Sequence, residues 1–346
     1  MSDDALIAAL LEGNVAALAR AVSIVENGRP GFEELLTTLH SRLGRARRIG
    51  LTGPPGAGKS TLTERLVARY RTAGHKVAVV AVDPTSPFTG GALLGDRIRM
   101  ESVALDRGVY IRSMATRGSL GGLATATREV CDVLDAAGFD RILVETVGVG
   151  QSELDVARMA DSTLLVLVPE SGDGIQALKS GVIEAADLFV VNKADRPGAD
   201  KLRRELELSL DLRTGMMTRQ TRAHHGALRS GAPAPAAART AEPMAWRPPV
   251  LLTTASTGDG VDSVMAALEQ HWAWLALSGA LDTRRRARLA QRTREVVERA
   301  VRRWIWQESH ADEMIMARLD ELSAGRTSPY DVATEIVTAL REDARV

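Results

Sequence analysis

The chain of 346 residues has one cysteine, Cys131, and a formal net charge of zero from 44 Lys+Arg and 44 Asp+Glu. A single cysteine excludes an intramolecular disulfide framework and a cysteine-rich metal site, and it fits a reducing compartment. Balanced charge removes the global electrostatic case for nucleic acid binding. No apolar run approaches the roughly 20 residues of a membrane span, and the N-terminal MSDDALIAALLEG lacks a cleavable signal pattern. We therefore expect a cytoplasmic protein that binds neither nucleic acid nor membrane.

The spacing of apolar residues divides the chain into three predicted parts. Leucines at helical spacing predict two or three helices before the first strand, so residues 1–46 form an N-terminal helical extension. Short apolar runs then alternate with amphipathic segments, which predicts one domain over 47–280. Within it, the Ala-, Pro- and Gly-rich stretch 221–249 follows a helix predicted at 199–211 and is predicted to be flexible. Helical patterns predict a C-terminal helical arm over 281–346.

Seven short apolar runs predict the strands of that domain. They are IGLTG (49–53), VAVVAVD (77–83), VYIRSM (109–114), RILVET (141–146), TLLVLV (163–168), LFVVN (188–192) and VLLTTA (250–255). Short, largely apolar strands are typical of sheets with helices on both faces. Their alternation with helices predicts an α/β fold with a mostly parallel, doubly covered sheet.

A complete phosphate-binding motif follows the first predicted strand. Residues 53–60 read GPPGAGKS and match G-x-x-x-x-G-K-[ST] between a strand and an amphipathic helix, as a P-loop requires. Backbone N–H groups and the helix N-terminus are expected to bind phosphates. Lys59 is expected to reach the β- and γ-phosphates, and the Ser60 hydroxyl to coordinate magnesium. The predicted nucleotide-binding residues of this loop are Gly53, Pro54, Pro55, Gly56, Ala57, Gly58, Lys59, Ser60 and Thr61.

A second motif, NKAD (192–195), follows a later strand and predicts a guanine reader. The Asp195 carboxylate can accept two hydrogen bonds from the Watson–Crick edge of guanine, whereas adenine would leave it unpaired at a large cost in affinity. Asn192 is expected to tie loops together, and the Lys193 stem to cover the base. The loop after the last strand is expected to back the base with main-chain N–H groups, from Thr254, Ala255 and Ser256. The sequence therefore predicts binding of GTP and GDP.

Three carboxylates are candidates for a magnesium site. Asp83 and Glu145 end predicted strands at the edge where α/β sheets bind ligands, and Asp96 follows Asp83 in the chain. Glu145 lies in VETVGVGQSE (144–153), where most GTP-binding proteins have Asp in Asp-x-x-Gly. Each residue also has a plain structural reading, as a turn residue, a helix N-cap or an ordinary strand end. The predicted catalytic residues are Lys59, Asp83, Glu145 and Gly148, whose N–H is expected to sense the γ-phosphate.

The sequence allows two interpretations for each of two further loops. Residues 112–124 contain Arg112 and Arg117, either of which is a candidate to stabilise phosphate charge or an incidental surface arginine. Residues 169–181 form either a mobile segment near the nucleotide or a partner, or a plain strand-to-helix connection.

Six motifs in this order resemble the MeaB/ArgK group of P-loop GTPases, which includes chaperones of the adenosylcobalamin-dependent methylmalonyl-CoA mutase. They are GPPGAGKST, VDPTSPFTGGALLGDRIRM, MATRGSLGGLA, ETVGVGQSE, PESGDGIQALKSG and VNKAD. The resemblance implies GTP hydrolysis to GDP and phosphate by a homodimer that pairs through its C-terminal arm. It implies that the protein gates adenosylcobalamin loading and protects the mutase, which itself holds the cobalamin.

The resemblance also implies roles for particular residues. Asp83, Asp96 and Glu145 would be magnesium-site or switch carboxylates, beside the Ser60 hydroxyl that the phosphate-binding motif assigns to magnesium. Nucleotide state would be relayed to the mutase through Gln176 and Lys179, with Gln151 in the segment after the third motif. We expect slow intrinsic turnover, because no glutamine stands at the usual water-positioning place directly after Gly148.

Two other functions are weighed against the mutase chaperone. A metal-insertion GTPase of the wider family usually carries Cys or His clusters, whereas this chain has one cysteine and a single histidine pair, His224–His225. An ATP-dependent kinase linked to amino-acid transport, a label given to some ArgK-like sequences, is disfavoured by Asp195. The sequence does not separate a methylmalonyl from an isobutyryl mutase as the partner.

Overall fold

The computed structural model describes residues 3–83, 100–115, 122–146, 152–169, 182–224 and 245–343. The chain divides into two units, Met1–Arg285 and Arg286–Val346. The division predicted at residues 46 and 280 stays a prediction.

Seven parallel strands form the sheet of the first unit, in the order β3-β2-β4-β1-β5-β6-β7. The strands are β1 (Arg47–Thr52), β2 (Val77–Asp83), β3 (Val109–Ala115), β4 (Arg141–Thr146), β5 (Ser162–Leu167), β6 (Leu188–Asn192) and β7 (Val250–Thr253). Every residue of β4, β5 and β6 is buried, which explains why these strands read as unbroken apolar runs. The predicted parallel α/β sheet and its seven strands are confirmed.

Helices precede, connect and follow these strands along the chain. Those before and between the strands are α1 (Asp3–Leu11), α2 (Val15–Glu26), α3 (Phe32–Leu39), α4 (Lys59–Thr72), α5 (Glu101–Ala104), α6 (Gly122–Ala136), α7 (Ser152–Met159), α8 (Val182–Ala185) and α9 (Ala199–His224). Those after β7 are α10 (Val261–Ser278), α11 (Ala280–Arg303), α12 (Ala311–Ser323) and α13 (Pro329–Asp343). A 3₁₀ turn at His40–Arg42 precedes β1, and a π-helical turn at Trp304–Glu308 follows α11.

The two faces of the sheet bury different side chains because successive residues of a strand point to opposite sides. Val80 and Val144 belong to a cluster that includes apolar residues of α1, α2, α3 and α6. Their neighbours Val79 and Leu143 belong to a second cluster, with residues of α4 and α10. The N-terminal helices therefore cover one face of the sheet, while the P-loop helix covers the other.

A buried carboxylate fixes the entry of the chain into β1. Asp135 of α6 accepts hydrogen bonds from the backbone N–H groups of Gly44 at 2.8 Å, Arg45 at 3.1 Å and Ala46 at 2.9 Å. The position of β1, and of the loop that follows it, is thus set from the helical layer.

One predicted boundary is wrong. The helix expected to end at residue 211 continues to His224, so residues 221–224 of the segment predicted to be flexible are helical. Arg and Met make up five of the thirteen residues at 212–224, and both are good helix formers. Residues 225–244 lie outside the described residues, and residues 245–249 have no regular structure.

The second unit is helical and has a small core of its own. Ala311, Val332, Ile336 and Leu340 are its buried apolar residues. Apolar side chains are also exposed in this unit, among them Met316 at 66% and Tyr330 at 84%. Pairing of two copies through this arm stays a prediction. No described helix is long and apolar enough to cross a membrane.

Candidate nucleotide-binding site

The carboxyl end of β1 lies at a reversal of the strand order. β1 is paired with β4 on one side and β5 on the other, with Leu51 opposite Glu145 of β4. Connections diverge to both sides of such a point and leave a crevice that binds ligands in open α/β sheets. The motif 53–60 leaves β1 into this crevice, and α4 begins at Lys59.

Two glycines let the loop pack closely against its neighbours. Gly53 has φ of 133°, and a Cβ at this position would lie 2.1 Å from the carbonyl oxygen of Val166 in β5. Gly58 has φ of 86°, and its Cβ would lie 2.3 Å from Nδ2 of Asn192. Both the backbone conformation and the lack of space require glycine, so the loop is held directly against β5 and the end of β6.

Lys59 is folded back onto its own loop. Its residue is 5% exposed, and Nζ donates hydrogen bonds to the carbonyl oxygens of Gly53 at 2.7 Å and Pro54 at 2.9 Å. Burial lowers the pKa of Lys59 to about 8, against the opposing effect of the nearby carboxylates of Glu145 and Glu153. An arriving phosphate would offer the ammonium group anionic oxygens in place of neutral carbonyls, which favours the charged form.

Glu145 is turned towards α4 and is 4% exposed. Its Oε1 accepts a hydrogen bond from the Ser60 hydroxyl at 2.6 Å, and its Oε2 accepts one from the Thr63 hydroxyl at 2.5 Å. A serine hydroxyl that donates its proton keeps its lone pairs for a cation. Magnesium prefers such hard oxygen ligands, so the Ser60–Glu145 pair fits this ion.

The other magnesium candidates are less defined. Asp83 ends β2, opposite Ala115 of β3, while Asp96 lies outside the described residues. Five further predicted or candidate residues also lie outside them, namely Gly148, Gln151, Gln176, Lys179 and Arg117. Among the residues that are described, no group of three or more His, Cys, Asp and Glu side chains could hold a metal ion.

Asn192 joins the P-loop to the last strand. Its Nδ2 donates to the carbonyl oxygen of Ala57 at 2.8 Å, and its Oδ1 accepts from the Ala255 N–H at 3.0 Å and the Thr253 hydroxyl at 3.1 Å. The residue is 2% exposed, so these bonds form away from water. One amide therefore ties the phosphate-binding loop to the loop expected to back the base.

Asp195 is exposed on the turn after β6. The turn is held by the Ala194 N–H, which donates to Thr253 at 3.0 Å, and the Arg196 N–H, which donates to Lys193 at 3.0 Å. Lys193 has a positive φ of 56°, a conformation that is uncommon without glycine and concentrates at ligand-binding sites. The predicted guanine reader is thus presented to solvent on a turn anchored to β7.

Comparison with known proteins agrees with this geometry. A family model described as "Methylmalonyl Co-A mutase-associated GTPase MeaB" matches residues 18–310. The chain belongs to the MeaB family of P-loop GTPases. It is 44% identical over 294 residues to a putative GTPase of Pyrococcus horikoshii, with 85% of each chain covered. It is 34% identical over 299 residues to the mitochondrial methylmalonic aciduria type A homolog of Mus musculus, covering 82% of this chain and 66% of that one.

A solved structure described as an LAO/AO transport system kinase is similar over 98% of each chain, with a TM-score of 0.64 and 27% identity. The resemblance to the MeaB/ArgK group and the P-loop NTPase fold are thereby confirmed, and so is the prediction of a GTPase. The predicted role of each site residue stays a prediction, supported by the contacts above.

One residue that positions the site in this MeaB-family GTPase has no sequence signal. Arg65 of α4 donates from Nε to the carbonyl oxygen of Ala255 at 3.1 Å and from Nη2 to that of Ser256 at 2.5 Å. Thr254 and Ala255 use their own N–H groups inside the protein, with Asp259 and Asn192. Its partners lie 190 and 191 positions away along the chain, so no local pattern indicates them.

Arg112, a candidate for stabilising phosphate charge, makes a different contact. It lies within β3, opposite Val80 of β2, and its Nε donates to Oε2 of Glu26 at 2.9 Å. Glu26 is the last residue of α2, so the pair joins the sheet to the N-terminal helices. This contact favours a structural role for Arg112.

We predict that nucleotide binding takes up a proton above pH 8. The unfolded value of the Lys59 pKa is 10.5 and the folded value is about 8. Between pH 8 and pH 10.5 the Lys59 side chain of the nucleotide-free protein is mostly neutral, whereas bound phosphate favours its ammonium form. GDP affinity should fall about five- to tenfold from pH 8 to pH 9, and calorimetry in buffers of different ionisation enthalpy should detect the proton uptake.

The same shift fixes the sign of a stability effect. The unfolded chain binds more protons than the folded chain between pH 8 and 10.5, so Lys59 makes the nucleotide-free protein more stable as pH rises through this window.

Lys59→Arg is the matched control for proton uptake, because its guanidinium stays charged throughout. Proton uptake equal in the wild type and Lys59→Arg would contradict the assignment.

Proposed function

We propose that this protein is a cytoplasmic, GTP-driven chaperone of an adenosylcobalamin-dependent acyl-CoA mutase of the methylmalonyl-CoA mutase type. It gates the loading of intact adenosylcobalamin and protects the mutase, which alone holds the cobalamin. The proposal is supported by the family description, which names a mutase-associated GTPase, and by the relative from Mus musculus named for methylmalonic aciduria.

The observation that carries this proposal is the contact between Glu145 and α4. Glu145 binds the hydroxyls of Ser60 and Thr63 in the first turns of the P-loop helix. Within the motif VETVGVGQSE, Gly148 follows Glu145 by three positions and Gln151 follows it by six. A change at Ser60 on nucleotide binding therefore acts on the residue that starts this segment, which gives the partner a route to sense GTP.

The residues of the site divide the work of GTP hydrolysis. Backbone N–H groups of 53–60 and the N-terminus of α4 bind the phosphates, and Lys59 neutralises their charge. Asp195 selects guanine. The Ser60 hydroxyl would bind magnesium, with Asp83, Asp96 and Glu145 as the carboxylates of its site, and the ion would supply the positive charge that phosphoryl transfer needs.

The remaining proposed roles concern assembly. Residues 281–346 pair two copies into a homodimer. Gln151, Gln176 and Lys179 contact the mutase in a manner that depends on the bound nucleotide. Completion of the site by the partner would accelerate a slow intrinsic reaction, as residues supplied in trans do in other GTPases.

The direct test combines a pull-down with turnover measurements. The full-length protein is mixed with a methylmalonyl or an isobutyryl mutase in the presence of GDP or a non-hydrolysable GTP analogue, and GTP hydrolysis is followed with and without each mutase. We expect a complex with one of them in at least one nucleotide state and a rise in turnover of about tenfold or more, within the range of usual allosteric coupling.

Lys59→Ala provides the control, because it removes the phosphate contact while leaving the helical surfaces unchanged. Its mutase binding should no longer depend on nucleotide. The proposal fails if neither mutase forms a complex in any state and neither changes the GTPase rate.

A transport-associated kinase is the second candidate, because the solved structure with a TM-score of 0.64 is described as an LAO/AO transport system kinase. The two candidates differ in the base they need. In a GTPase the Asp195 carboxylate accepts two hydrogen bonds from guanine. The adenine of ATP has no such pair of donors for that carboxylate. Base preference therefore separates them.

We predict that Asp195→Asn converts the protein from GDP to XDP binding. Xanthine carries an oxygen where guanine carries its exocyclic amine, and the asparagine amide donates to that oxygen. GDP affinity should fall about 100-fold or more, since a reading site rejects a ligand whose groups leave it unpaired. Competition binding with GDP, XDP and ADP measures this change.

The matched control is Asp200→Asn, the same change five positions later in the first turn of α9. It should leave GDP preference unchanged. Tight ADP binding by the wild type would instead favour the kinase.

A further inference from the structure

Thr63 carries a buried hydroxyl in the second turn of the P-loop helix. The residue is 0% exposed. Its neighbours in α4 belong to an apolar cluster, namely Leu62, Leu66 and Val67. A buried hydroxyl costs free energy unless it is hydrogen-bonded. Its partner is Oε2 of Glu145 at 2.5 Å, 82 residues away along the chain.

Ser60 and Thr63 act on Glu145 together. They are three positions apart in α4, so their side chains lie on the same face of the helix. Each donates to a different oxygen of the Glu145 carboxylate. A carboxylate held at one oxygen can still rotate about its last torsion angle, which has a broad energy well, whereas one held at both oxygens is fixed in its plane.

The second bond matters more for a glutamate than for an aspartate. Glutamate has one more rotatable bond, so placing its carboxylate costs more side-chain entropy. The hydrogen bond from the Thr63 hydroxyl to Oε2 offsets part of this cost, and it holds Oε1 of Glu145 in place to accept the hydrogen bond from Ser60.

We propose that Thr63 is a positioning residue for the cation-binding pair Ser60–Glu145. By fixing Glu145, it keeps the Ser60 hydroxyl oriented with its proton towards Glu145 and its lone pairs available to Mg²⁺. The inference rests on the proposed function of this site as a magnesium-dependent GTPase site, and it adds a residue that the phosphate-binding motif does not contain.

A purely structural role for Thr63 makes a different prediction. Loss of a hydrogen bond to a buried carboxylate would lower the free energy of unfolding without changing Mg²⁺ affinity in the folded protein. A positioning role changes Mg²⁺ affinity in the GDP complex even where folding and metal-free GDP binding are intact. Mg²⁺ affinity is therefore the property to measure.

The test titrates Mg²⁺ into the GDP complex of Thr63→Val by calorimetry. Valine keeps the shape of the side chain and removes the hydroxyl. We expect Mg²⁺ to bind about 10–100-fold more weakly, the usual effect of removing a group that orients a metal ligand. GDP affinity in EDTA should stay within about twofold of wild type, and Thr63→Ser, which retains the hydroxyl, should restore Mg²⁺ affinity.

Two controls isolate the contact. Thr72→Val makes the same change in the last turn of α4, where the hydroxyl bonds only its own helix at Ala68 in the described structure, and it should bind Mg²⁺ normally. In a Glu145→Gln background, Thr63→Val should weaken Mg²⁺ binding much less than in wild type, because the carboxylate that it positions is already gone. If Thr63→Val does not fold, the comparison of Thr63→Ala with Thr63→Ser measures the same hydroxyl.

Wild-type Mg²⁺ affinity in Thr63→Val, or an equal loss in the Glu145→Gln background, would overturn the proposal. A parallel loss of GDP affinity in EDTA would also overturn it, since it would indicate a general distortion of the loop. The measurement contains no mutase, so failure of the chaperone role leaves it interpretable, whereas a wild type that binds no GDP would overturn both.

Discussion

The structure of the site depends on a carboxylate that reaches from the end of a strand to the P-loop helix. Glu145 accepts hydrogen bonds from Ser60 and Thr63, and it does so with 4% of its surface exposed. Hydrogen bonds to a charged acceptor in a low-dielectric interior are among the stronger contacts in a protein. They couple the end of β4 to the N-terminus of α4, so a nucleotide that contacts one of them acts on both.

A second link of the same kind holds the base side of the crevice. Asn192 bonds the P-loop at Ala57 and the final loop at Ala255, while Arg65 reaches Ala255 and Ser256 from α4. The P-loop and the loop at residues 254–256 thus share α4 as a common support. Preorganisation of this kind lowers the cost of ordering loops when a ligand binds.

The sequence predicts the elements well, because burial on both sheet faces gives strands a local apolar signal and the P-loop is contiguous. It does not predict the links between them. Thr63 and Glu145 are 82 positions apart, Arg65 and Ala255 are 190 apart, and Arg112 and Glu26 are 86 apart. These pairs exist only because the strand order brings distant segments together. Local patterns therefore placed Glu145 at a strand end but left its direction open, and they offered Arg112 a role at phosphate that its contact with Glu26 disfavours.

We propose that Glu145 converts nucleotide state into a signal for the mutase. The most direct measurement is the mutase-stimulated GTPase rate of Glu145→Ala, set beside its affinity for GDP. We expect the mutase-stimulated rate to fall by about tenfold or more, which corresponds to a typical coupling free energy, while GDP affinity in EDTA changes much less. Mutase-stimulated turnover equal to that of the wild type would contradict it and reduce Glu145 to an ordinary strand end.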